Sequence, residues 1–220
     1  LRGPRWVANS MVEPVIEWEG RAKVRSTHEP VLRMAVEELL DTRCDPWDAL
    51  NTAVTQFPVI TQDWTKGDKL RFTTLVALRA TKEDRKRIAL ATQSCGLEVV
   101  GEEGWKKTVP GITLNDQIDY GPGLAQYYSN SIQLNSTSYQ MPTSVNQRIF
   151  DVPCAGGVLL TDNQADIHEL FDAQHECFVY RTPEEAAAKI RYPKSNPYRA
   201  RRGSHLARTR TLAEHTYQQR

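Results

Sequence analysis

From Gly96 onward the sequence alternates short apolar runs with stretches of helical periodicity, and this constrains the fold more than any other feature. The apolar runs are residues 97–100 (LEVV), 112–114 (ITL), 132–134 (IQL), 158–161 (VLLT) and 178–180 (FVY). Between them lie candidate helices at 123–130, 144–155, 165–171 and 183–192. The second is apolar at Val145, Ile149 and Val152 and is ended by Pro153; the last has Pro183 at its start. Strands that alternate with helices build βαβ units and a parallel sheet. Residues 5–9 (RWVAN) supply one more strand near the beginning of the chain, closed by Ser10.

The intervening region reads differently. Residues 30–40 are apolar at Val31, Met34, Ala35, Val36, Leu39 and Leu40, which is helical spacing. Asp45-Pro46-Trp47 marks a helix start, with Asp45 as cap and Pro46 in the first helical position. Residues 56–69, with Pro58, Gly67 and several polar side chains, suggest a loop. A long helix is expected over 70–93. Its middle, 81–87 (TKEDRKR), has the composition of a solvated face. The tail, 198–220, is basic and helical in character. The expected organisation is a first strand plus helical insertion or linker over 1–94 and an α/β core with a C-terminal helix over 95–220.

Composition narrows the function classes. At 220 residues, 40 % hydrophobic and 25 % charged, the chain has the balance of a globular protein with a sizeable core. A net charge of +1 gives no bulk sign of a nucleic-acid partner or a membrane surface. No run approaches the ~20 apolar residues of a membrane-spanning helix, and no signal peptide is visible. Cys44, Cys95, Cys154 and Cys177 are scattered, without the paired spacing of a zinc site. Four reduced thiols in a cytoplasmic protein are expected. The first residue is Leu1 rather than Met, which suggests a fragment of a longer enzyme.

In open α/β sheets, ligands bind at the carboxyl ends of the strands, where helix N-termini offer free N–H groups to phosphate. The richest loop in such a place is Asn135-Ser136-Thr137-Ser138-Tyr139-Gln140-Met141-Pro142-Thr143-Ser144, with Thr143 or Ser144 able to cap the helix that follows. A capped surface loop would look the same. The helix then carries Asn146, Gln147, Arg148 and Asp151. Arg148 has a planar fork suited to phosphate oxygens, and Asp151 could accept from both ribose hydroxyls. Alternatively, the two sit three residues apart and could simply pair. Cys154-Ala155-Gly156-Gly157 permits a tight helix-to-strand turn. The dinucleotide fingerprint and the Walker A motif are both absent.

The run from Asn146 to Asp162 (NQRIFDVPCAGGVLLTD), with Asp166, Glu169-Leu170-Phe171, Tyr180-Arg181-Thr182-Pro183-Glu184-Glu185, Lys189-Ile190-Arg191-Tyr192, His215-Thr216-Tyr217 and Arg220, resembles the C-terminal part of CgeB-like glycosyltransferases. These belong with group-1-like glycosyltransferases related to a spore-maturation protein. Val100-Gly101-Glu102-Glu103-Gly104-Trp105 is similar to that family's Gly-Asp-x-Gly-Trp turn, although Trp105 itself suits packing better than binding. The likeness covers about residues 95–220 and is thinner upstream, where Val7-Ala8-Asn9-Ser10-Met11 is similar to a first strand and its turn.

The resemblance implies the C-terminal, donor-binding half of a GT-B enzyme: a Rossmann-like parallel sheet flanked by helices, with a helical insertion over about 30–93. It implies a nucleotide-diphosphate sugar as donor, an unknown acceptor, a missing N-terminal domain, and no cofactor or metal. Carried over residue by residue, the expected donor site is Asn9, Ser10, Asp119, Tyr120, Thr143, Ser144, Asn146, Arg148 and Asp151. Arg148 would act on the charge developing at the leaving diphosphate. Related retaining enzymes carry a glutamate eight positions before the ribose-binding acid; Thr143 stands there instead. His168 and His175 read as surface residues and His215 as a packing residue. The open alternative is a degenerate transferase half that serves as an interaction module.

Overall fold

The computed structural model describes residues 2–8 and 11–219. The chain begins with β1 (Arg2–Val7) and continues through five helices: α1 (Glu13–Arg21), α2 (Glu29–Thr42), α3 (Pro46–Gln56), α4 (Pro58–Thr61) and α5 (Lys66–Gln93). Alternation then sets in: β2 (Glu98–Val100), α6 (Gly104–Thr108), β3 (Thr113–Asn115), α7 (Pro122–Tyr128), β4 (Ser131–Leu134), α8 (Arg148–Cys154), β5 (Val158–Asp162), α9 (Ile167–Leu170) and β6 (Phe178–Tyr180). Two helices follow, α10 (Pro183–Ser195) and α11 (Pro197–Glu214).

These elements form two compact units. The first contains residues 2–8, 86–137 and 143–219. Its six strands pair in parallel in the order β3-β2-β1-β4-β5-β6. This is the doubly wound, Rossmann-like order, with a switch point between β1 and β4 where successive connections leave in opposite directions. β1 is central: Arg5 lies opposite both Glu98 and Gln133. It starts at Arg2, earlier than Pro4 suggests. Proline lacks the N–H a ladder needs, and the register with β4 shifts between Arg2 and Pro4 to accommodate it. β4 and β5 are buried along their whole length, as their apolar runs require.

One glycine turn and two close contacts hold this unit together. Gly156 adopts φ +76° between α8 and β5, a conformation glycine reaches without steric cost. At the neighbouring Gly157 a Cβ would lie 2.6 Å from the Tyr128 carbonyl oxygen. Trp105 is fully buried and meets Trp6 edge-on at 5.2 Å, so it packs, as expected.

The second unit, residues 11–85 and 138–142, is helical. Its core is a set of helical stripes: Val31, Leu32, Ala35 and Leu39 from α2, Ala49, Leu50 and Ala53 from α3, and Phe72, Leu75, Val76 and Ala80 from α5. Tyr139 joins the same core. Asp45 caps α3 as expected, its carboxylate accepting from Trp47 N at 2.8 Å.

Two expectations fail in this unit. Residues 56–69 are not one loop: Pro58 opens α4, and α5 starts at Lys66. Thr65 and Asp68 supply that start, because Thr65 N donates to Asp68 Oδ2 (3.0 Å) while Asp68 N donates to Thr65 Oγ1 (3.1 Å). Such reciprocal capping tolerates Gly67 in the first turn. The polar stretch 81–87 is not a freely solvated face either. Thr81 is buried, donates to Ala77 O (2.7 Å) and accepts from Tyr139 N (2.9 Å), and residues 82–86 are half-buried. No helix among the described residues is long and apolar enough to cross a membrane.

Candidate functional site

The site residues gather in the sheet unit at the carboxyl ends of β4 and β5, beside the switch point. Asn135 is the first residue after β4 and is fully buried. Its N–H donates to Leu160 O (2.8 Å), its carbonyl accepts from the Tyr180 hydroxyl (2.7 Å), and its Nδ2 donates to Thr161 Oγ1 (3.0 Å). Two backbone bonds and one side-chain bond to β5 and β6 fix the residue, leaving Oδ1 to accept from Asn146 Nδ2 and Arg148 Nη1, both at 3.0 Å. Arg148 is thus held in place from the strands. Its Nε is buried and finds no acceptor among the described residues.

The loop beyond Asn135 is pinned by a second buried group. Asp162, at the end of β5, accepts from Thr137 N (3.1 Å) and Thr137 Oγ1 (3.0 Å) on one oxygen and from Gln164 Nε2 (2.8 Å) on the other. A buried carboxylate is tolerable only with such a set of donors.

Asp151 lies one turn along α8 from Arg148. It accepts from the Tyr120 hydroxyl at 3.1 Å, and Gln147 Nε2 donates to the same hydroxyl at 2.8 Å. Burial raises the Asp151 pKa above the ordinary carboxylate value. The Tyr120 bond and the Arg148 charge oppose that rise. Burial likewise raises the Tyr128 hydroxyl, against the pull of the Arg148 charge. Arg148 and Asp151 do not pair; the arginine turns to Asn135 instead. Between α7 and α8 lies a groove of about 310 Å³, lined by Tyr120, Leu124, Tyr128, Asp151, Cys154 and Ala155.

The structure therefore brings together four of the expected residues beside Asn135: Asn146 and Arg148 bond it directly, and Tyr120 and Asp151 form a second group, joined to each other and to Gln147 at the start of the same short helix. Others stand apart. Asp119 is exposed and makes no hydrogen bond or ion pair among the described residues. Asn9 and Ser10 lie outside the described residues. Thr143 and Ser144 do not cap the helix. α8 begins at Arg148, and the Asn146 side chain accepts from Arg148 N (3.2 Å) in their place. A helix of seven residues also carries only a small dipole, so the fixed positive charge at this site rests on Arg148.

Three participants went unassigned at the sequence level: Asn135, Asp162 and Tyr180. Their signal is the abrupt change from apolar strand to polar side chain in IQL-Asn135 and VLL-Thr161-Asp162. His168 and His175 are exposed, and His215 packs against the rings of Phe150 and Phe171, as expected. Among the described residues no three His, Cys, Asp or Glu side chains are grouped to hold a metal ion.

Comparison with known families bears on this arrangement. The sequence model described as glycosyl transferase-like matches residues 75–220, about two thirds of the chain. The chain belongs to this glycosyl transferase-like family. Searches of curated proteins and of solved structures found no match. Membership in the glycosyl transferase-like family gives the site a sugar donor and an acceptor as its general context. The matched span includes β2–β6 and every described site residue. It leaves out β1, which the fold nevertheless places at the centre of the sheet.

Proposed function

We propose that this chain provides the nucleotide-diphosphate-sugar site of a CgeB-like, metal-independent glycosyltransferase, in the manner of the C-terminal half of a GT-B enzyme. The observation that carries the reading is Arg148: a guanidinium clamped through Asn135 to β5 and β6, with a buried Nε that lacks an acceptor among the described residues. A stationary cation at the carboxyl end of a parallel sheet suits a diphosphate. It acts on charge that develops on the leaving group and needs no reorganisation during the reaction. Asp151, half-buried and three residues away, suits the ribose hydroxyls, which would donate to it as Tyr120 does here. The apolar groove between α7 and α8 offers a flat, partly aromatic wall to the base or the sugar. The acceptor and a second Rossmann-like domain would come from elsewhere in the enzyme.

Titration calorimetry with UDP, GDP and their sugars tests this. Saturable binding is expected. It should fall by ~10²-fold or more in Arg148→Ala and in Asn135→Ala, following the usual cost of losing a charge-assisted contact. It should also disappear in Asp151→Ala with the circular dichroism spectrum unchanged. No heat with any of these nucleotides would overturn the reading.

A further inference from the structure

We propose that the outward face of α11 docks the protein on an anionic lipid surface, a role separate from the donor site. The near-neutral chain hides a strong local asymmetry. Residues 186–213 hold eight of the 28 Lys and Arg and none of the 27 acidic residues, so the remainder is net acidic. Some of these cations are committed to the fold. Lys194 donates to Cys95 O (2.7 Å), Arg208 to Cys154 O (2.9 Å), and Arg210 bonds Glu176 (2.7 Å). Arg201 and Arg202 are exposed and form no ion pair among the described residues. The nearby acids are already engaged, Glu176 and Glu214 by Arg210 and Asp172 by His175.

The rotation of α11 is fixed by its inner stripe of Ala200, Gly203, Ser204, Ala207 and Thr211. At Gly203 a Cβ would stand 2.6 Å from the His175 carbonyl oxygen, so the helix cannot roll without a clash. Cations and apolar groups therefore share the outer face. Tyr198 is 81 % exposed, Leu206 38 % and Leu212 49 %, with Arg201, Arg202 and His205 between them. Beside them, His175, Tyr198, Arg199, Arg202 and Leu206 line a hollow of about 400 Å³, large enough for a phosphodiester headgroup. Arg199 is steadied there by the Tyr192 hydroxyl at 3.0 Å.

This mixture selects the partner. A nucleic acid or an acidic glycan would satisfy the arginines and stack on Tyr198, but would leave Leu206 and Leu212 in water. A bilayer interface satisfies both kinds of group: phosphates meet the arginines while tyrosine and leucine enter the acyl boundary. The helix, about 27 Å long, could lie flat on such a surface. His175, on the wall of the hollow, stands just before the start of β6, at the end of the parallel sheet opposite the strand ends that carry Asn135 and Asp162.

The test is co-sedimentation of the chain with vesicles of phosphatidylcholine, with and without phosphatidylglycerol. Binding is expected only to the anionic vesicles, and 0.5 M salt, on the order of a 4 Å Debye length, should release it. Each surface cation contributes about fivefold, so Arg199→Gln, Arg201→Gln and Arg202→Gln together should weaken binding on the order of 100-fold. Leu206→Ser with Leu212→Ser should weaken it further in moderate salt. All five positions are exposed, and calorimetric melts would confirm intact folding. No binding to anionic vesicles would overturn the proposal, as would wild-type binding by the arginine variant. So would a leucine double variant that binds vesicles normally while heparin or RNA competes, since that marks a general polyanion surface.

Discussion

At Gly157 an added Cβ would meet the Tyr128 carbonyl oxygen at 2.6 Å and Val152 Cγ1 at 3.0 Å. The first contact is backbone and cannot swing aside. Gly157→Ala is expected to cost ~1–3 kcal/mol, read as a lower urea midpoint with an unchanged slope. The pair Gly156-Gly157 was legible in the sequence as a tight turn because small residues there have few other uses. Asn135 was not legible as a clamp. Its role depends on Arg148 thirteen residues later and on Thr161 and Tyr180 from strands further on, and no local pattern encodes those meetings. His28 is a second residue whose meaning comes from its surroundings. It is buried edge-on against Trp64 and Phe72, and its Nδ1 accepts from Arg25 N. Burial lowers its pKa below 6.5, the Arg25 charge adds to the drop, and the Glu29 charge opposes it. The unfolded chain therefore takes up a proton at higher pH than the folded one. This contribution to stability is complete above pH 6.5 and is lost as pH falls through the lower, folded value. Urea midpoints should drop between pH 7.5 and 5.5 by less in His28→Gln than in the wild type.

Elements were readable where their ends carry local chemistry. Asp45-Pro46 announced α3, and the cap is present. Asp45→Ala should cost about 0.5–2 kcal/mol, visible as a lower melting temperature, because Trp47 N then loses its acceptor. The strands after Gly96 were readable to within a residue from their apolar runs, β6 to the residue, whereas β1 starts three residues before its expected run. α8 was misplaced because apolar spacing at Val145, Ile149 and Val152 extends the helical pattern upstream. The tertiary bond from Asn146 to Asn135 holds that stretch out of the helix. The Thr65–Asp68 capping pair was a readable signal, obscured by Gly67 and the proline before it. α1 and α6 are short, and neither has a side-chain cap bond to mark it.

At the scale of the molecule, the alternation of strand and helix was enough to indicate a parallel sheet, but strand order was not readable from it. Order depends on which apolar run pairs with which, and β1 pairs with partners 93 and 128 residues away, Glu98 and Gln133 opposite Arg5. A chain restricted to residues 75–220 keeps the family match yet loses the strand that joins β2 to β4. It is expected to lack a cooperative melt and to show weak amide-exchange protection in both remaining strand groups. The same placement of β1 governs the order in which the protein can assemble during synthesis. β1 leaves the ribosome well before β2 and β4 and has no partner in the sheet until they follow. Its edges stay unsatisfied while the stripes of α2 and α3, only a few residues apart, can already meet. Helical contacts should therefore form before the sheet closes, and closure of the sheet around β1 should set the folding rate.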